Sequence, residues 1–303
     1  MDKVKFHRML MSPISAAVQQ AHKINHHRPA RVPSQRYPAR AVLQYEQDIK
    51  GLVAELKRSV INNLFPKLKY LETQVLHDHT DGVRQDQWPV DIANAVEALK
   101  LKFLKDHASQ ITGIAAITAR ATALVNEQTW IQISRAVLGV DLLGSTSWEP
   151  AKLEAFAVQN SGLITNLTAE TYDKVGNTVL TGFRAGKTSD AIEKELLSTG
   201  VALPVGPFKS AATRAELIAR DQVGKLNGEI TPPRMTDLGI EKYTWETSHD
   251  DRVRPEDEEK DGMIFEWANP PLGGPPGYKI NCRCSAIPLI PEYDEVLGTE
   301  EVT

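Results

Sequence analysis

The chain has 303 residues, a formal net charge of −4, and 41% hydrophobic but only 6% aromatic residues. This length predicts two or three structural units, and the composition excludes disorder along the whole chain and is typical of a protein rich in helix surface. The small negative net charge excludes a general electrostatic affinity for nucleic acid, so any such affinity must come from a local basic patch.

The first 40 residues are predicted to form a basic, flexible arm. They contain eight lysines and arginines against one acidic residue, Asp2, and four prolines are scattered among them. This composition is poorly suited to a packed core. An open basic arm can neutralise phosphates of double-stranded DNA without reading the base sequence, whereas a merely solvated tail is the alternative. The candidate DNA-binding residues are Lys23, Arg28, Arg31, Arg36 and Arg40.

Residues 41–149 are predicted to form a helical domain, beginning with a helix that Pro66 ends. Apolar residues recur there every three or four positions, which places them on one face of a helix. They are Val42, Tyr45, Ile49, Leu52, Leu56, Val60 and Leu64. No stretch of about 18 apolar residues occurs in the chain, because Arg120 interrupts the best candidate, so no membrane span is predicted.

After a mixed segment, Trp88 and Pro89 predict a break, and Asp91 a cap, before a second long helical stretch. This Ala-rich stretch reaches Gly139, with a bend or a loop possible at Gly113. Its apolar positions are Ile92, Val96, Leu99, Phe103, Ile111, Ile114, Ile117, Leu124, Val125, Ile133 and Val137.

Residues 150–290 are predicted to form one further domain, helical to about residue 228 and β-rich afterwards. A linker precedes a helix from about residue 150, and another helix ends near Gly186. A short helix follows from Thr188 or Ser189 to Gly200, and Ser210 is a suitable cap for a helix over 211–228, which bears Leu217, Ile218 and Leu226.

The β-rich part follows Pro232 and Pro233. Tyr243, Trp245 and Thr247 alternate with polar residues, the period-two pattern of a half-buried strand. The segment NCRCSAIPLIP over 281–291 is predicted to be a closing strand, with both cysteines facing inward and Arg283 outward, and residues 291–303 an acidic tail. The predicted fold class is therefore α+β, a mainly helical N-terminal and middle region followed by a small mixed α/β C-terminal module.

Two segments resemble ligand-binding motifs without matching them. Gly182–Thr188 resembles a phosphate-binding loop but has three residues between its glycines instead of four and follows a helix, so a helix stop and an N-cap are predicted. Asp257 begins a calcium-loop pattern whose twelfth position is Ala268, so a solvated acidic turn is predicted.

Cys282 and Cys284, with His249, are weak candidates for a zinc site, because no fourth ligand is evident. A disulfide across one intervening residue is strained. No bound metal or cofactor is therefore predicted. The pairs His26 and His27, and His77 and His79, are interpreted as surface residues.

Three motifs between Arg214 and Pro288 resemble the Mu F-like phage minor head proteins, a family that includes the portal-associated minor head protein of phage SPP1. RAELIARDQ (214–222), GIEKYTWETSHDDRVRPEDEEKDGMIFEW (239–267) and NCRC (281–284) occur in the family's order. Members commonly carry histidine three residues after the second arginine, where this chain has Asp257, so a zinc or catalytic role cannot be transferred from that histidine. The motif residues are Arg220, Trp245, Asp251, Arg252, Arg254, Gly262, Asn281, Cys282, Arg283 and Cys284.

The resemblance implies a minor capsid protein, made in the host cytoplasm and incorporated into the virion at the portal vertex or capsid interior. Its implied partners are the portal protein, the major capsid or scaffolding protein, and packaged double-stranded DNA. Its implied role is to assist procapsid assembly, DNA packaging or DNA ejection, and no enzyme activity is predicted.

Within the C-terminal module, Trp245 is predicted to supply core area, Arg252 and Arg254 to pair with Asp250 or Asp251, and Arg283 to bond the loop over 250–262. The alternative is an enzyme, a nuclease or an ADP-ribosyltransferase-like toxin. In that case Arg220, His249, Arg254 and Cys282 would line a common cleft.

Overall fold

The computed structural model describes residues 13–23, 32–80 and 88–290, and it shows a mainly helical chain that ends in a small antiparallel sheet. The predicted α+β class is confirmed. The helices are α1 (Pro13–Lys23), α2 (Ala39–Asn63), α3 (Phe65–Thr80), α4 (Trp88–Leu138), α5 (Glu149–Arg184), α6 (Ser189–Leu196), α7 (Pro207–Thr236) and α8 (Pro255–Glu258). The strands are β1 (Lys242–Glu246), β2 (Ile264–Glu266) and β3 (Ser285–Pro288).

The apolar stripe predicted for α2 is confirmed, because all seven of its residues are buried. The helix ends at Asn63, and α3 begins two residues later. Pro66 is the second residue of α3, where its missing N–H would have no helical partner in any case. The prediction of a mixed segment after residue 67 is wrong, since α3 continues to Thr80.

Helix α4 is continuous over 51 residues, so the bend or loop considered at Gly113 does not occur. A single glycine costs a helix only about 1 kcal/mol, which the rest of a long helix offsets. Trp88 and Pro89 belong to the first turn rather than to a break before it. The predicted stripe is wrong at Ile117 and Leu124, whose exposed fractions are 61% and 55%.

Helix α5 is one helix where two were predicted. The N-cap predicted for α6 is confirmed, since the Thr188 hydroxyl accepts a hydrogen bond from the backbone N–H of Ala191 at 3.3 Å. Gly186 has a φ of 71° just after α5, the left-handed conformation of a helix stop. The segment over 182–188 is therefore a helix end and a cap, and lacks the geometry of a phosphate-binding loop.

Helix α7 begins before the predicted cap at Ser210 and runs through Pro232 and Pro233, so the predicted change to β structure near residue 228 is wrong. Each proline removes a helical hydrogen bond, which costs about 3 kcal/mol or more. Burial of Ile230 before the prolines and of Met235 after them favours continuation of the helix. Leu217, predicted to be part of the apolar stripe, is 47% exposed.

The sheet has the order β2-β1-β3, and both pairs are antiparallel. Tyr243 and Trp245 in the central strand are buried, and the alternating Lys242, Thr244 and Glu246 are half-buried, as the pattern predicted. The closing strand starts later than predicted, at Ser285. The NCRC segment is a turn that leads into β3, because Asn281 has a φ of 56°, which a strand does not permit.

Contacts divide the chain into two units, each made of separate segments. The first unit comprises 1–42, 117–156 and 220–303, and the second comprises 43–116 and 157–219. Helices α2, α4, α5 and α7 contribute residues to both units. The sequential boundaries predicted at residues 40, 149 and 290 stay predictions.

The core of the first unit includes part of the segment predicted to be an open arm. Ile14 and Val18 from α1, and Val32 after it, are buried in one cluster with Trp245. The backbone N–H of Ile14 donates to the carbonyl of Leu238 at 3.1 Å. The prediction of an unpacked arm is therefore wrong for residues 13–23 and 32–40. Residues 1–12 and 24–31, and the acidic tail over 291–303, lie outside the described residues.

The second unit has its own core, to which α2, α4 and α5 contribute. The rings of Phe103 and Tyr172 lie 5.8 Å apart, and the buried Tyr45 hydroxyl donates to Asn160 at 2.9 Å. No helix within the described residues is both long enough and apolar enough to cross a membrane.

Candidate functional site

The predicted motif residues lie mainly in two loops beside the sheet, and β1 positions the first of them. Trp245 is 2% exposed, which confirms its predicted place in the core. Its backbone N–H donates to Met263 and its carbonyl accepts from Gly262, both at 2.8 Å. These bonds close the loop over 247–262, and Gly262 has a φ of 79° at the return, a conformation that favours glycine. This segment is called the charged loop below.

Asp250 is the acidic residue that organises the start of the charged loop. The Arg283 guanidinium donates to Asp250 Oδ1 at 2.6 Å, as predicted, and Arg252 lies 3.6 Å from Asp250 Oδ2. The hydrogen bond from Arg283 holds the pKa of Asp250 below its usual value. Asp251, the other predicted partner, is exposed. Arg283 therefore connects the NCRC turn to the charged loop.

Asp257 is a second organising carboxylate, buried to 2% exposure, and sequence reasoning did not identify its role. Lys279 Nζ lies 3.0 Å from its Oδ1, and Lys260 Nζ lies 3.6 Å from the same atom. Arg254 pairs with Asp257 at 3.4 Å, and not with Asp250 or Asp251 as predicted. Burial raises the pKa of Asp257, but Lys279, Lys260 and Arg254 together outweigh burial and lower it.

The predicted solvated acidic turn is thus wrong at Asp257. Asp257 lies three positions after Arg254, and one helical turn brings two charges at this spacing close together. This spacing was the sequence signal that could have predicted the ion pair. Lys279 gave no local signal, because it lies 22 positions away from Asp257 in the chain. Arg254 also donates to the carbonyl of Ile280 at 2.6 Å, so it holds both loops.

The NCRC turn is held against α7 by close backbone contacts. The backbone N–H of Asn281 donates to the side-chain oxygen Oδ1 of Asp221 in α7 at 3.0 Å. A side chain at Gly277, whose φ is 86°, would place its Cβ 3.0 Å from the Cα of Gly228, also in α7. Only glycines allow the two backbones to approach this closely. Arg220, the motif residue of this helix, accepts a hydrogen bond at its carbonyl from the Tyr37 hydroxyl at 3.2 Å.

The two cysteines meet Asp257 rather than His249. The Asp257, Cys282 and Cys284 ligand atoms all lie within 4.8 Å of one another. The hydrogen bond from the Cys284 thiol lowers the pKa of Cys282, and the same contact together with burial raises that of Cys284. His249 instead lies 3.2 Å from Thr247 and 3.7 Å from Asp261. His249 therefore lies outside the cluster that the two cysteines form with Asp257.

The four residues of the enzyme alternative do not share either cavity found near them. His249 lines one cavity with Asp250 and Asp261. Cys282 lines another, with Tyr37. Arg220 and Arg254 line neither of them.

Two of the five DNA-binding candidates have described side chains. Arg36 and Arg40 are both exposed, and α2 begins between them. The side chain of Lys23 and the whole of Arg28 and Arg31 lie outside the described residues, as do His26 and His27 and the side chains of His77 and His79.

Comparison with known proteins identifies the segment that carries this site. Residues 173–287 match the sequence model of a family described as Phage Mu protein F like protein, which confirms the resemblance predicted from the three motifs. A Haemophilus influenzae protein named "Uncharacterized protein" is 34% identical over 168 residues, covering 54% of this chain and 36% of that protein. The chain thus matches little more than a third of that relative's length. No solved structure matches the chain.

Proposed function

Because residues 173–287 match the Phage Mu protein F like family, we propose that the chain is a phage head morphogenesis protein, a minor component of the virion at the portal vertex. The family match is the observation that carries this proposal. The described motif residues support it, since Arg283, Arg254 and Trp245 hold loops and a core together. Their observed contacts are structural, and the proposal requires no enzyme activity.

The helical units supply surfaces suited to docking on a helical partner such as a portal ring. Ile117 and Leu124 are large apolar side chains on one face of α4, and both are exposed. They are seven positions apart, which is about two helical turns, so they lie one above the other on the surface. An apolar stripe of this kind is the usual way in which one helix docks into a groove on another protein.

Non-specific contact with packaged DNA forms the second part of the proposal. Arg36 and Arg40 are exposed, and they belong to the basic first 40 residues of a chain that is otherwise net acidic. Such contact depends on phosphate neutralisation and leaves the base sequence unread. It suits a protein that handles any packaged genome, during packaging or during ejection.

The location is tested by quantitative mass spectrometry of purified procapsids and virions, with the portal protein as the internal reference. We expect the chain in both particles at a low, fixed ratio to portal. A chain found free in the lysate and absent from both particles would contradict the proposal.

The docking surface is tested with Ile117→Lys/Leu124→Lys, which should reduce incorporation into procapsids. Val158→Lys is the matched control, because Val158 is 70% exposed on another helix. Equal incorporation of the two variants would exclude the α4 surface as the docking site.

DNA contact is tested by replacing Lys23, Arg28, Arg31, Arg36 and Arg40 with glutamine. Deleting the segment is unsuitable, because Ile14, Val18 and Val32 belong to the core. Each lost phosphate contact should make the slope of log affinity against log salt shallower by about 0.9. The control variant neutralises five exposed basic residues elsewhere, namely Arg58, Lys67, Lys69, Lys102 and Lys105. An equal effect of both variants would show that the contact is not located in the first 40 residues.

A further inference from the structure

The charged loop and the NCRC turn bring three metal-ligating side chains together inside the first unit. The ligand atoms of Asp257, Cys282 and Cys284 lie within 4.8 Å of one another. Asp257 is 2% exposed and Cys282 is 6% exposed, while Cys284 is half-buried. Cysteine packs as a small apolar residue, but a carboxylate buried beside two thiols is unusual, because burial of a charge is costly unless the charge has partners. We propose that these three residues bind one divalent cation of the zinc class.

The donor set selects the cation. Two sulfur ligands and one carboxylate oxygen suit zinc, whereas calcium and magnesium require oxygen ligands. Zinc bonds of about 2.3 Å to sulfur and about 2.0 Å to oxygen place tetrahedral ligands roughly 3.5 to 3.8 Å apart. The observed spread of up to 4.8 Å therefore needs to contract by only about 1 Å, which side-chain rotation supplies.

The proposed cation shares Asp257 with basic side chains. Entry of one divalent ion releases two thiol protons, so the net charge of the buried region is unchanged. Lys279 and Lys260 lie beside Oδ1 and, with Arg254, supply three positive charges against the single negative charge of Asp257. Oδ2 faces Arg254 at 3.4 Å, a long contact with which a cation can compete.

A fourth ligand position and an outer hydrogen bond complete the site. A cavity of about 10 Å³ is lined by Cys282 and Cys284, and a volume of this size admits about one water molecule. Asp257 does not line this cavity, so in the proposed site a water molecule there approaches the cation from the side of the two cysteines as the fourth ligand. The backbone N–H of Gly277 donates to Cys282 Sγ at 3.4 Å, the kind of contact that orients a metal-bound thiolate. The cation thus fastens the charged loop to the NCRC turn and stabilises the module.

The test uses the full chain, purified under reducing and anaerobic conditions, stripped with a chelator and titrated with cobalt. We expect about one equivalent of cobalt to bind and to give a thiolate charge-transfer band, which zinc then abolishes. Zinc should also raise the midpoint of thermal unfolding. Cys284→Ser and Asp257→Asn should each weaken binding by tenfold or more. His249→Ala is the matched control, because His249 lies outside the cluster, and it should bind as the wild type does.

The wild-type spectrum decides the question even where a variant fails to fold. A folded, reduced wild type that gives no thiolate charge-transfer band with excess cobalt would overturn the proposal. Folded Cys284→Ser that binds as tightly as the wild type would overturn it as well, since the cation would then be held elsewhere.

Discussion

We expect removal of the Arg234 side chain to lower the free energy of unfolding more than removal of most other polar side chains in the first unit. It lies near the end of α7 and is 2% exposed. Its Nε donates to Asn126 Oδ1 at 2.9 Å and its Nη2 to Glu149 Oε2 at 2.6 Å. The guanidinium carbon lies 5.4 Å from the centre of the Trp148 ring. Arg234 therefore joins α7 to α4 and α5 within one unit.

We expect Arg234→Met to lower the free energy of unfolding by about 3 kcal/mol, the lower end of the range for breaking a buried ion pair. Methionine retains much of the volume, so the loss comes from the charge and the hydrogen bonds. Glu149 and Asn126 are left without their guanidinium partner, and Glu149 is only 19% exposed, so water compensates little.

Urea unfolding followed by circular dichroism measures this loss, and Arg135→Met is its matched control. Arg135 forms a bidentate pair with Asp141 at 2.7 and 2.6 Å, but the two side chains are 63% and 51% exposed. Its loss should leave the unfolding midpoint near that of the wild type, because exposed ion pairs contribute little.

A double-mutant cycle of Arg234→Met and Glu149→Gln should show coupling of about 1 to 3 kcal/mol. Strictly additive effects in the cycle would refute the pairing. An Arg135→Met loss as large as that of Arg234→Met would refute the argument from burial.

Three further predictions concern the sheet, the charged loop and the glycines. Trp245→Ala should lower the free energy of unfolding by about 3 kcal/mol or more, since it removes a large buried ring, and an unchanged melting temperature would show that the ring is not in a core. Arg283→Gln should raise the pKa of Asp250 towards its ordinary value, because the arginine favours the charged carboxylate; carboxyl chemical shifts over an acid titration measure this, and an unchanged pKa would contradict it. Gly277→Ala should destabilise the protein, because the φ of Gly277 is 86° and its backbone contacts α7. Gly113→Ala should stabilise the protein by about 0.5 to 1 kcal/mol, because Gly113 lies within α4 and has open space around it. Thermal unfolding of both variants distinguishes backbone strain at Gly277 from a general effect of alanine.

The sequence alone determined those structural elements whose residues interact over a few positions along the chain. The stripe of α2, the alternation of β1 and the cap at Thr188 each depend on spacings of two to four residues, and each is observed. The three motifs likewise identified the family over residues 173–287, because residue identity and order are properties of the chain alone.

Local rules failed where burial outweighs propensity. Gly113 does not interrupt α4, and Pro232 and Pro233 do not end α7, because the helices on either side of them bury apolar side chains. Ile14 and Val32 were assigned to an open arm by the basic residues around them, yet both are buried in the core, whereas the described basic side chains of this segment, Arg36 and Arg40, are exposed.

The candidate site depended on the tertiary structure for a different reason. Asp257 and Lys279 are 22 positions apart, and Asp221 and Asn281 are 60 apart, so no local period connects them. The sequence suggested His249 as the companion of the two cysteines, whereas the folded chain places Asp257 beside them. Folding placed Asp257 beside the cysteines, because the charged loop and the NCRC turn are held together by Arg254 and Arg283, and only the packed chain determines which carboxylate is then buried there.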